Sequence, residues 1–173
     1  INVVALKDDN AGEIPEMIRW AHQQSMDLTL IETMPLGEID AERTDQYLSL
    51  ETVRRSLETQ WSLDPLTHRT GGPARYFRIR ETGGRLGLIT PMSHRFCEAC
   101  NRVRVTCTGQ LFQCLGQDDQ VDLRSVMRQD ADPEVLAQAI RKAIAAKPKG
   151  HDFRIERPGE GPSVFRPMSM TGG

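Results

Sequence analysis

INVVALKDDNAGEIPEMIRWAHQQSMDLTLIETMPLG, residues 1–37, is the stretch that decides the fold class. Its first ten residues begin as a continuous apolar run and end in polar turn formers, which suits a strand buried on both faces of a parallel sheet. In EIPEMIRWAHQ, residues 13–23, Ile14, Met17, Ile18 and Ala21 fall at helical spacing, the pattern of an amphipathic helix. DLTLIETMPLG, residues 27–37, predicts a second strand, stopped by Pro35 and Gly37. Strand, helix and strand in this order form a β-α-β unit, whose crossover is expected to be right-handed. No G-x-G-x-x-G follows the first strand, so nothing supports a dinucleotide site.

Downstream, residues 38–48 are polar and predict a loop, and LETVRRSLETQW, residues 50–61, predicts a helix. DPLTHRTGGPA is broken by Pro65, Gly71, Gly72 and Pro73 and predicts a loop. ARYFRIR and RLGLIT flank ETGG, the pattern of two strands joined by a tight glycine turn. RVRVTCTGQLFQC alternates around Thr108-Gly109 and predicts a hairpin. Asp122 or Ser125 opens a short helix. Asp132 is an N-cap followed by Pro133, and the helix it starts is expected to bury Leu136, Ile140, Ala143 and Ile144. The last 23 residues carry no periodic pattern.

The chain has 173 residues, 38% hydrophobic and 27% charged, enough for a globular core. A formal net charge of −2 argues against a polybasic nucleic-acid binder. No apolar run approaches a membrane span, and no cationic-then-apolar leader opens the chain, so a cytoplasmic location is expected. Ile1 stands inside an apolar run with no Met before it, and the chain is expected to be a fragment.

All four cysteines lie in FCEACNRVRVTCTGQLFQC, residues 96–114. Cys97, Cys100 and Cys114 read C-x2-C-x13-C, and Cys107 interrupts the longer interval. Thiolates at C-x2-C spacing can grip one metal from a single turn, and a cytosolic chain makes a metal a better reading than disulfides. Two readings stay open. Zinc would take all four thiolates, with His94 also near in sequence. An iron–sulfur cluster with three thiolates would keep one iron open. They differ on Cys107, which alternation places with Val103 and Val105, while Arg102, Arg104 and Thr106 take the opposite face. Cys107 is as well read as a small core residue beside the turn as a ligand. Arg102 and Arg104, directly after a ligand, suit an anion or a purine edge.

FCEACNRVRVTCTGQLFQCL resembles the C-terminal cluster segment of the GTP 3′,8-cyclase family of radical S-adenosylmethionine enzymes. INVVALKDDN, IETMPLG, GGPARYFRI, ITPMSHRFCEACNRVRVT and the closing MTGG follow in the family's order, so the resemblance covers essentially the whole chain. It implies an α/β fold: the C-terminal part of an incomplete TIM-type barrel over residues 1–90, and a hairpin and helical extension over residues 91–173. It implies conversion of GTP to a 3′,8-cyclised triphosphate in molybdenum cofactor biosynthesis. Cys97, Cys100 and Cys114 match the ligands of a C-terminal [4Fe–4S] cluster. Arg102, Val103 and Arg104 match the GTP-contacting segment, Met34 a contact to S-adenosylmethionine, and Gly172 and Gly173 a tail that reaches the active site. A homodimer, and a pathway partner that receives the cyclised product, are also implied. Two departures stand out. Cys107 occupies a position where the family has a small non-ligating residue. The chain also has no C-x3-C-x2-C, so the second, N-terminal [4Fe–4S] cluster is expected only in a full-length protein. This chain alone is expected not to cleave S-adenosylmethionine.

Overall fold

A computed structural model describes residues 1–37, 44–94, 96–155 and 161–171. They divide into two compact units, one of residues 1–34, 44–94 and 96, the other of residues 35–37, 97–155 and 161–171.

The first unit is a mixed α/β structure around a five-stranded sheet. The spatial order is β1 (Asn2–Ala5), β2 (Leu28–Glu32), β5 (Arg85–Ile89), β4 (Arg75–Ile79) and β3 (Leu63–Pro65). β1, β2 and β5 are parallel, and β5, β4 and β3 are antiparallel. No closed barrel is present among the described residues. Burial on both faces, expected for the first strand, belongs instead to β2, where only Ile31 is partly exposed. β1 is an edge strand, and Val4 is 45% exposed. β3 runs from Leu63 into the first two residues of the stretch predicted as loop. Its Pro65 sits at the edge of the sheet, where a missing N–H costs little.

α1 (Ile14–Gln23) turns Ile14, Ile18 and Ala21 inward, as its spacing predicts. α2 (Leu50–Glu58) buries Leu50, Val53 and Leu57, and ends before the predicted Trp61, whose ring still joins the same core. The glycine turn between β4 and β5 forms as expected. Gly83 adopts φ +71°, and a side chain at Gly84 would strike the His22 ring at 2.2 Å. That ring bonds the Thr82 hydroxyl at 2.6 Å and the Arg85 carbonyl at 3.1 Å.

The second unit holds an antiparallel sheet of β6 (Arg104–Val105), β7 (Gln110–Phe112) and β8 (Gln120–Asp122). Two helices follow. α3 (Leu123–Gln129) is capped by Asp122, whose carboxylate accepts from the Ser125 amide at 3.0 Å and its hydroxyl at 2.7 Å. α4 (Pro133–Ala145) is capped by Asp132, which accepts from the Glu134 amide at 2.8 Å. Leu111, Leu123 and Ala143 form the core, and Val103, Leu136 and Ile140 pack against it. Ile144, expected inside, is 49% exposed, one residue past the inward-facing Ala143.

The strand predicted for residues 27–37 stops at Glu32. Leu36 makes a parallel bridge with Val164; the Gly37 amide donates to the Val164 carbonyl at 2.7 Å and the Ser163 amide to the Pro35 carbonyl at 2.8 Å. The C-terminal stretch is therefore fastened through residues 161–171, where Val164, Arg166 and Thr171 are buried. Among the described residues no helix is long and apolar enough to cross a membrane.

Candidate functional site

The β6–β7 hairpin organises the cysteine block. Arg104 pairs opposite Phe112 and Val105 opposite Leu111. Residues directly opposite share a face, so the register separates an arginine face from a valine face, as alternation predicts. The environments differ from the expectation. On the valine side Val103 reaches the core, but Val105 is 53% exposed because β6 is the edge strand. Cys107 lies in the turn and is exposed, so it is not the core residue that alternation suggested. Gly109, at φ +82°, closes that turn, and its amide donates to the Thr106 carbonyl at 3.0 Å.

The arginine side is the drier one. Phe112 is buried and Arg104 half-buried. Burial pushes the Arg104 guanidinium below its ordinary value. Arg102 pushes the same way, Cys100 and Cys114 oppose the shift as anions, and Arg166 adds to the lowering. Arg104 thus sits within electrostatic reach of two of the three predicted ligands and of two further cations. Arg102 itself is exposed.

Cys97 and Cys100 lie on one 3-10 turn, with the Cys100 amide donating to the Cys97 carbonyl at 3.1 Å. They and Cys114 are partly buried, and no cysteine forms a disulfide. Gln113 fixes the chain next to Cys114: its amide nitrogen donates to the Ala143 carbonyl at 2.8 Å, and Lys147 donates to its carbonyl at 2.6 Å. Among the described residues no three His, Cys, Asp or Glu side chains converge as a metal-binding group. The donors present, three soft and partly shielded thiols, fit a thiolate-held centre in chemistry.

Met34 belongs to the other unit, partly buried two residues beyond β2. His94 is also in that unit and exposed. Gly172 and Gly173 lie outside the described residues.

Two charged residues escaped the sequence reading. Glu32 is 1% exposed and accepts from the amides of Leu50 at 3.0 Å, Met92 at 2.8 Å and Ser93 at 3.0 Å, and from the Ser93 hydroxyl. It joins the end of β2 to the start of α2, where Ser49 makes no side-chain cap. Arg166 is 8% exposed and stacks over the Phe112 ring at 4.0 Å. Glu32 lies in the IETMPLG segment but takes no role from it, and no periodic or motif signal marks Arg166.

The family profile described as Molybdenum Cofactor Synthesis C matches residues 26–153. The chain belongs to that family. It is 64% identical over all its 173 residues to the GTP 3′,8-cyclase of Brucella ovis, 63% to that of Brucella canis and 62% to that of Sinorhizobium medicae. In each case it spans half the length of the relative. The matched span of this molybdenum cofactor synthesis chain contains the whole cysteine block, the hairpin and both helices of the second unit.

Proposed function

We propose that this chain supplies the nucleotide side of a GTP 3′,8-cyclase, which converts GTP to (8S)-3′,8-cyclo-7,8-dihydroguanosine 5′-triphosphate in molybdenum cofactor biosynthesis. The observation that carries this reading is Arg104, half-buried opposite the buried Phe112 on the hairpin that joins the Cys97–Cys100 turn to Cys114, in a chain of this family. Cys97, Cys100 and Cys114 would hold a [4Fe–4S] cluster, which when bound supplies an open iron for the guanine. Arg104 offers a planar, permanently charged donor fork where water is partly excluded, so it can hold and orient an anionic or purine partner. Arg102, in the solvent, adds attraction at longer range. Val103 fixes that segment by packing against the core of the second unit.

Residues 1–90 fit the C-terminal portion of a radical S-adenosylmethionine barrel and residues 91–173 the cluster and GTP extension. Met34 is assigned to S-adenosylmethionine and the Gly172-Gly173 tail to the active site. The family likeness supports these assignments. The N-terminal cluster that cleaves S-adenosylmethionine belongs to a C-x3-C-x2-C motif that this sequence lacks. The chain alone is therefore proposed to make no 5′-deoxyadenosine. A cytoplasmic enzyme, a homodimer and hand-over of the product to the next enzyme complete the proposal.

Anaerobic reconstitution with iron and sulfide tests the assignment. Cys97→Ala, Cys100→Ala and Cys114→Ala should each abolish the cluster absorbance and the bound sulfide, and Cys107→Ala should leave both. Stoichiometric zinc without sulfide, lost on Cys107→Ala, would replace this reading with a four-thiolate zinc module.

A further inference from the structure

Arg166 has three nitrogen–hydrogen bonds left over after its hydrogen-bond partners are served. Its Nη2 donates to the carbonyls of Leu115 at 3.2 Å and Gln117 at 2.6 Å. Its Nε and Nη1 are buried and have no hydrogen-bond partner. Asp118 is the facing carboxylate, at 3.7 Å from Nε, beyond hydrogen-bond reach and 72% exposed. A guanidinium this deeply buried is ordinarily saturated, and each orphaned buried donor calls for a physical reason. A second observation points the same way. The ring that Arg166 covers belongs to Phe112, and Phe112 lies directly opposite Arg104 across the hairpin. The fold therefore sets a second guanidinium against the ring of the residue that faces Arg104 across the hairpin, with the exposed Asp118 carboxylate as its ion-pair partner at 3.7 Å.

We infer that Arg166 is a further substrate-binding residue, whose free Nε and Nη1 take a phosphate oxygen of the nucleotide in concert with Arg104. This rests on the GTP reading above and adds a residue to it. The chemistry is that of a planar fork meeting a tetrahedral oxyanion, which a purine edge or a ribose hydroxyl does not match in charge. The two carbonyls on Nη2 and the Phe112 ring hold the fork still before the ligand arrives, so little side-chain order is lost on binding.

The test uses the full chain, reconstituted anaerobically, with GTP, guanosine and inorganic triphosphate as separate probes in equilibrium dialysis. Arg166→Met should weaken GTP and triphosphate about 10- to 100-fold, the range of lost charge-assisted hydrogen bonds, and leave guanosine within about 2-fold. Arg166→Lys keeps the charge without the fork and should fall between; it also serves if Arg166→Met does not fold. Unchanged GTP and triphosphate binding in either variant would overturn the inference while leaving the GTP reading intact. Equal weakening of guanosine and GTP would overturn it too, as a structural role of the clamp would do. A changed cluster absorbance with unchanged triphosphate binding would assign the free donors to the metal centre instead, again overturning it. Triphosphate binding that depends on Arg166, without any preference for GTP, would keep the oxyanion site and sink the guanine-nucleotide assignment.

Discussion

Glu32 in the first unit and Arg166 in the second are both buried charges, at 1% and 8% exposure, and their surroundings differ in completeness. Around Glu32 three backbone amides and one hydroxyl converge, so its carboxylate is saturated by its own chain. Around Arg166 two carbonyls serve one nitrogen and leave two without a hydrogen-bond partner, one of them facing Asp118 at 3.7 Å. A saturated buried charge ties elements together, here β2, the start of α2 and the turn after β5. An unsaturated one holds bonding capacity for something that is not part of the chain. The difference separates a structural charge from a binding one without reference to which residue type is more often functional.

The hardest way to strain this comparison is to remove the saturated charge. Glu32→Ala orphans the amides of Leu50, Met92 and Ser93 and should cost about 3 kcal/mol or more in chemical denaturation. A loss below about 1 kcal/mol would mean that water replaces the carboxylate, and the contrast with Arg166 would lapse. Next is the turn that shapes the arginine face. Gly109→Ala places a Cβ 2.9 Å from the Cβ of Arg124 on a backbone at φ +82°, and should cost about 1–2 kcal/mol. Arg166→Met should move stability by less, within about 1 kcal/mol of neutral, because the loss of two carbonyl bonds is offset by relief of a buried, half-paired cation. Unfolding midpoints that put Arg166→Met level with Glu32→Ala would show that both charges are structural.

The smallest effect is one of pH. The hydrogen bond from Arg85 holds the Asp27 carboxyl below the usual carboxylate range, with burial opposing and the charge of Arg85 assisting. Asp27 contributes stability that is fully present above its unfolded value of about 3.9 and is lost as pH falls through the lower folded value. Asp27→Asn should therefore lower the unfolding midpoint slightly at pH 7, and wild type and variant should converge toward pH 2–3. A gap of the same size at both ends would rule the ion pair out as its cause. The pair is partly exposed, so the gap at pH 7 should also shrink in high salt.

Much of the fold could be read from local pattern, and the reasons are visible in single residues. Ile14, Ile18 and Ala21 recur on one helical face, Gly83 and Gly109 mark turns that need positive φ, and Asp122 and Asp132 have amides to cap within three residues. Features set by distant partners could not be read this way. β3 exists because β4 offers it an edge, and β1 is exposed because nothing pairs with its outer side among the described residues. In the site, Cys97, Cys100, Cys114, Arg102 and Arg104 stood out because they are adjacent in sequence. Glu32 and Arg166 were assigned no role because each is a single charged residue, one in an apolar strand and the other in a tail without period. Their meaning comes from Leu50 and Ser93, or from Phe112 and Leu115, which are remote along the chain.

The bridge between Leu36 and Val164 has a consequence for the order of events on the ribosome. Pro35, Leu36 and Gly37 are made first, and the residues that bond them follow on the order of a hundred residues later, which at typical elongation rates is a wait of several seconds. During that interval all five strands of the first unit's sheet are made, whereas the Leu36–Val164 bridge of the second cannot close. The nascent chain would thus carry Cys97, Cys100 and Cys114 for a time before Val164 arrives to close the bridge with Leu36.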